Sequence, residues 1–306
     1  MNLPLGFLVF TGLLLGLAAC RDASTPELPV SLEETLDALI AQHPEATVAV
    51  AVRDAQTGTV LDRNGDRSFH AASTMKVPVM IEVYRQVALG RFSLDDALPV
   101  ENAFRSIVDG SAYSIEDDSD DAIYERLGQE MTIRDLVYQM ITVSSNLATN
   151  LIIDYISADS VQATCERLGT TTMKVLRGVE DIKAYRQGLS NSATASDLAV
   201  LLDALRRGTA VSPEADGAMV DVLLDQQFNT MIPEGLPGDA RAAHKTGWIT
   251  RIHHDAAIVY PAEGEPYVLV ILTEGIDDEN VSAALGAEIA RAVHAALRPG
   301  ALSTPF

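Results

Sequence analysis

Ser68-Phe69-His70-Ala71-Ala72-Ser73-Thr74-Met75-Lys76-Val77-Pro78-Val79-Met80-Ile81 is the stretch on which the reading of this chain turns. A polar cluster ending at Thr74 gives way to an apolar helix start that nevertheless carries a lysine. Residues three apart share a helix face, so Ser73 and Lys76 can point to one spot a turn apart. A serine hydroxyl is a weak nucleophile until a base takes its proton. Lysine can be that base only if burial or a nearby positive charge lowers its pKa. A bare helix-capping role for Ser73 leaves the lysine unexplained. Pro78, read as lying in the second turn, should forfeit a helical hydrogen bond.

Lysine usage adds weight. The chain has 22 basic residues, of which only Lys76, Lys174, Lys183 and Lys245 are lysines. Arginine does not deprotonate and lysine can, so a retained lysine invites a chemical reading. Two of the four lie in short motifs. Lys245-Thr246-Gly247 opens a strand-like segment, with Gly247 leaving room beside the backbone. Ser144-Ser145-Asn146 falls between two helical segments, where either serine could cap the second one. Each motif alone is weak evidence, but the combination is strong.

Outward from these motifs, 31–42 reads as a helix with a Ser31/Glu34 capping box and a stripe of Leu32, Leu36, Leu39 and Ile40. Residues 47–53 and 59–62 read as a hairpin, with Val48, Val50 and Val52 alternating against small residues. Helices are expected at 74–89, 133–141, 146–156, 160–168 and 195–206. Strands are expected at 241–250, 255–260 and 266–273, and a closing helix at 281–297. Strands from both ends must then share a sheet while the middle forms a helical body.

Before the fold, residues 1–19 read as a signal peptide, and Leu17-Ala18-Ala19-Cys20 as a lipobox whose Cys20 is lipidated. Residues 20–30, with two prolines, form a tether. The mature protein is therefore expected on a membrane, facing the periplasm or exterior. Cys165 is left as a buried thiol. A net charge of −21 opposes nucleic-acid binding. The acidic run Glu116-Asp117-Asp118-Ser119-Asp120-Asp121 reads as a solvated loop, and His253-His254 as a surface pair at a strand end rather than metal ligands. His70 lies near Ser73 but has no orienting acid in sequence.

The ordered triple, Ser73-x-x-Lys76, Ser144-x-Asn146 and Lys245-Thr246-Gly247, resembles the serine β-lactamases and penicillin-binding proteins, most closely class A. The resemblance implies an α+β fold: a five-stranded antiparallel sheet flanked by terminal helices, plus an all-α subdomain. It implies one catalytic domain over 31–300, its α/β part about 31–72 and 236–300 and its helical part about 73–235. Ser73 is then the acylated nucleophile, Lys76 its base and Ser144 a proton relay. Asn146 binds a substrate amide, and Lys245 and Thr246 the substrate carboxylate. The backbone N–H of Trp248, with that of Ser73, forms an oxyanion hole.

Class A members also carry a glutamate in an E-x-x-L-N loop, which activates the deacylating water. Here Arg177-Gly178-Val179-Glu180-Asp181-Ile182-Lys183 departs from that pattern, leaving Glu180 as first choice and Asp181 as second. Ser145 stands where class A often has aspartate, and extra length falls near 102–130, at the site entrance. Arg251 is a further possible carboxylate ligand. The implied substrate is a small-molecule β-lactam or cell-wall peptide, handled by a monomer without cofactor or metal. A D-alanyl-D-alanine carboxypeptidase and a non-turnover penicillin-sensing lipoprotein share the same nucleophile and stay open.

Overall fold

The structure, a computed structural model, describes Met1 and residues 31–299. The signal peptide, Cys20 and the tether lie outside the described residues. Helix α1 (Leu32–Ile40) leads to strands β1 (Thr47–Asp54) and β2 (Thr59–Arg63), then to the short β3 (Phe69–His70). A 3₁₀ turn, Ala72–Met75, feeds α2 (Lys76–Ala88). Next come β4 (Ala97–Pro99), β5 (Phe104–Arg105), β6 (Ala112–Tyr113), a second 3₁₀ turn at Ala122–Arg126 and β7 (Glu130–Thr132). Helices α3 (Ile133–Thr142), α4 (Asn146–Ile156), α5 (Ala158–Leu168) and α6 (Ile182–Arg186) follow, then β8 (Ser192–Ala193). Helices α7 (Ala195–Arg206), α8 (Pro213–Leu224) and α9 (Ile232–Gly235) complete the helical body. The chain returns through β9 (Arg241–Ile249), β10 (Ile252–Tyr260) and β11 (Tyr267–Glu274) to α10 (Glu279–Leu297).

The five long strands form one antiparallel sheet in the order β2-β1-β11-β10-β9, which leaves β9, the strand of Lys245, at an edge. Both faces are covered. Val48, Val50, Val52, Leu269 and Ile271 pack with Leu36, Leu285, Ile289 and Val293 of α1 and α10. Ala49, Ala51, Val268, Val270 and Leu272 join a larger core with Val77, Met80, Leu136, Ile152, Leu198 and Leu202. The alternation along β1 is thus large against small rather than inside against outside. Each large apolar side chain so buried contributes about 1.5–3 kcal/mol.

The main helices and the hairpin fall where periodicity places them. Helix α8 was not expected, although Ser212 caps it by accepting from the N–H of Ala215 and Pro213 sits in its first turn, both standard start signals. Met231 and Ile232 pack on the α1/α10 side of the sheet, so the change of layer falls before the 235/236 boundary read from the sequence. Cys165 is a buried free thiol whose pKa burial pushes up to about 12. Pro78 needs a correction: the α-helix proper starts at Lys76, so Pro78 falls in its first turn, where N–H groups lack helical partners anyway. Among the described residues no helix is long and apolar enough to cross a membrane.

Candidate active site

Three backbone segments meet where the sheet edge touches the helical body. The first is the 3₁₀ turn carrying Ser73, which is partly exposed. Ala72 before it has φ 45°, a left-handed conformation that costs a non-glycine residue energy. The N–H of Ala72 donates to Nδ1 of His70 at 3.1 Å, so His70 accepts from backbone and does not serve Ser73 as a base. The second segment is β9. A Cβ on Gly247 would lie 3.0 Å from Ser73 N, 3.1 Å from Thr74 N and 3.1 Å from Ala72 Cβ. Gly247 therefore lets the edge strand lie against the nucleophile's own backbone, a tighter requirement than room for substrate.

The third segment is the Ser144–Asn146 bend into α4. Ser144 has φ 60°, and Ser145 caps the helix by accepting from the N–H of Ala148. Lys76, wholly buried, donates through Nζ to Ser144 O at 2.6 Å, Asn146 Oδ1 at 2.9 Å and Ser144 Oγ at 3.2 Å. Lys245, also wholly buried, donates to the same Ser144 Oγ at 3.0 Å and to Thr246 O at 2.9 Å. Two ammonium groups in one dry site oppose each other's charge. Burial lowers the Lys76 pKa to about 7, against the pull of Asp118 and Glu180. Lys245 is likewise held well below the usual lysine range, by burial and then by Lys76. Thr246 is buried beside Lys245, whereas the Trp248 side chain is 55% exposed.

Glu180 joins the site through Asn146. Its Oε1 accepts from Asn146 Nδ2 at 2.9 Å, and its Oε2 from the N–H groups of Glu116 and Asp117 at 3.1 and 3.4 Å. Asn146 thus links Lys76 to Glu180, and its amide N also donates to Asp117 O at 3.0 Å. A substrate amide would have to compete for that group. Burial raises the Glu180 carboxyl above its ordinary range, although these donors pull it down. Glu180 has φ 59°, so three of the six left-handed non-glycine residues among those described, Ala72, Ser144 and Glu180, adjoin this site. Asp181, the second choice, is engaged elsewhere: it caps α6 at Ala184 and accepts from Ser106 Oγ and Ile107 N. Its oxygens hold loops together and face no base role.

The structure corrects three readings. The run Glu116–Asp121 is not merely a solvated loop: it walls the site, Asp118 accepting from Asn146 N and Leu147 N at 2.8 Å each. His253 and His254 are both buried; His254 donates to His70 O and accepts from Thr273 N, with burial holding its pKa near 4. Arg251 is committed to Asp277 and Gly275 O at the β9–β10 turn. Residues missed earlier include Asn150, one turn after Asn146, which grips Val179 through both its amide atoms. Tyr113 also reaches Val179 O, at 3.3 Å. The i,i+4 pair of asparagines in Asn146-Leu147-Ala148-Thr149-Asn150 was a legible signal for one shared helix face.

The sequence profile of the β-lactamase enzyme family matches residues 31–297. A β-lactamase of Rhodobacter capsulatus is 28% identical over 275 residues, covering 89% of this chain and 89% of that protein. The crystal structure of a β-lactamase from Sphaerobacter thermophilus superposes with a TM-score of 0.74 at 30% identity, covering 87% of this chain and 95% of the other. PBP-A superposes with a TM-score of 0.77 at 26% identity, over 88% of this chain and 96% of the other.

Proposed function

This chain belongs to the β-lactamase enzyme family, and from that premise we infer that it is a serine β-lactamase forming an acyl-enzyme at Ser73. The observation that carries the reading is the convergence of two buried amines, Lys76 and Lys245, on Ser144 Oγ beside the Ser73 turn. A lysine with a pKa of about 7 is substantially neutral at physiological pH and can accept the Ser73 proton. Ser73 Oγ then bonds to the lactam carbonyl carbon, the C–N bond breaks, and the proton reaches the ring nitrogen by way of Ser144 Oγ. Lys245 and Thr246 take the substrate carboxylate.

Strand β9 lies at the sheet edge, where alternate N–H groups have no strand partner. We take Trp248 N–H, on this edge, and Ser73 N–H, which Gly247 lets lie close beside it, as the oxyanion donors, each worth about 3–4 kcal/mol. Glu180 takes a proton from a water whose oxygen bonds to the ester carbonyl carbon; the C–Oγ bond then breaks, and a proton returned from Glu180 restores the Ser73 hydroxyl. Its burial-raised pKa suits a general base. We further propose that the chain is a single-copy lipoprotein held through Cys20 to a membrane, where it meets β-lactams outside the cytoplasm. The likeness to PBP-A makes a penicillin-trapped peptidase the rival outcome. Nitrocefin turnover by wild type, absent in Ser73→Ala, supports hydrolysis. Cleavage of a D-Ala-D-Ala peptide with only a stoichiometric nitrocefin burst refutes it.

A further inference from the structure

We infer that Asp118 is the positioning residue of the Ser144–Asn146 segment: its carboxylate fixes the start of α4 and supplies negative charge near the buried Lys76. The inference rests on the proposed acylation of Ser73. The Ser144-Ser145-Asn146 motif contains no acid of its own, and Ser145 satisfies only the N–H of Ala148. The first two N–H groups of α4 go instead to a residue of the entrance loop. Asp118 Oδ1 takes Asn146 N and Oδ2 takes Leu147 N, each at 2.8 Å, across 28 and 29 residues of chain. A carboxylate here meets both orphan donors and the positive end of the helix.

The consequence runs directly to the reacting groups. Ser144 sits at φ 60°, a conformation that persists only where its surroundings over-determine it. That bend aims Ser144 O and Oγ and Asn146 Oδ1 at Lys76. Asp118 anchors Asn146, two residues after Ser144, and Leu147 beyond it. The charged groups around Lys76 are Lys245 on β9, Glu180 on its loop, and Asp118. Around Asp118 itself stand Asp117, Asp120 and Tyr124, whose hydroxyl donates to Asp118 Oδ2 at 3.1 Å. Asp120 is buried, and burial pushes its carboxyl toward the protonated form. Asp118 differs from it in contacts, taking four donors on its two oxygens.

The test uses the full chain with Asp118→Asn and Asp118→Glu, comparing thermal melts and the rate of Ser73 acylation by nitrocefin from about pH 5 to 9. Asp118→Asn keeps shape but loses charge and one acceptor. Its acidic limb is expected to move down by about one pH unit, because an opposite charge no longer favours the protonated lysine. Its plateau should fall about tenfold as the segment loosens. Asp118→Glu keeps the charge at the wrong reach, so its limb should stay while its plateau drops. An unmoved limb in a folded Asp118→Asn, or an Asp118→Glu plateau equal to wild type, overturns the inference. Should Asp118→Asn fail to fold, the Asp118→Glu plateau decides. Hydrogen exchange at the Asn146 and Leu147 amides needs no acylation: protection lost in either variant supports the anchoring, and unchanged protection overturns it. A wild type that never acylates would instead defeat the proposed function.

Discussion

Replacing Lys76 with methionine separates the chemical cost of that lysine from its packing. Burial takes its pKa from 10.5 to about 7, so at neutral pH the unfolded chain holds a proton that the native protein half releases. For a base with a depressed pKa the native state binds fewer protons, so stability rises with pH between the two values. The penalty works out at about 4 kcal/mol at pH 7 and about 2 kcal/mol at pH 9. Methionine removes it but leaves Ser144 O and Asn146 Oδ1 without their donor, a loss of about 1–3 kcal/mol each. The two effects nearly cancel at pH 7. Between pH 7 and 9 wild type should then gain about 2 kcal/mol on Lys76→Met. Urea unfolding of both proteins at pH 7, 8 and 9 measures the difference. A difference that stays flat, or falls with rising pH, would refute a neutral buried amine at this position. Acylation by Lys76→Met should be lost throughout.

Further outcomes follow from other contacts. Gly247→Ala pushes a Cβ onto the backbone of Ser73 and Thr74 at 3.0–3.1 Å and should cost acylation roughly tenfold, read in nitrocefin kinetics. Asp54 is held at about 2, burial opposing and Arg298 and Thr57 prevailing, so its contribution is present above pH 3.8 and lost as pH falls toward 2. Asp54→Asn should lower stability by about 2 kcal/mol at pH 7 but little at the acid end, by denaturant melts. Cys20→Ser should release the protein from the membrane fraction; unchanged fractionation would mean another anchor.

What the sequence disclosed follows from how local each signal is. The apolar periods of 146–156 and 195–206 and the alternation from Thr47 to Arg53 are local, and the corresponding elements appear there. Ser73, Lys76, Ser144, Asn146 and Lys245 were legible because their types and order match a chemical task, and the fold gathers them. Asp118 was not, since its value lies in two amides 28 and 29 residues away. A run of acids looks solvated until its partners are known. His254 misled for the same reason: its acceptor, His70 O, lies 184 residues distant. Glu180 was chosen from its loop alone, and the left-handed backbone and asparagine contacts that hold it have no sequence signature.

Intact-mass analysis of Ser73 during penicillin turnover, in wild type and Glu180→Gln, tests acylation and hydrolysis together. Wild type should hydrolyse many equivalents and return to its unmodified mass, while Glu180→Gln should accumulate one penicilloyl adduct on Ser73. A wild type that stays acylated at one equivalent, or an adduct that never forms on Ser73 in either protein, would contradict the assignment.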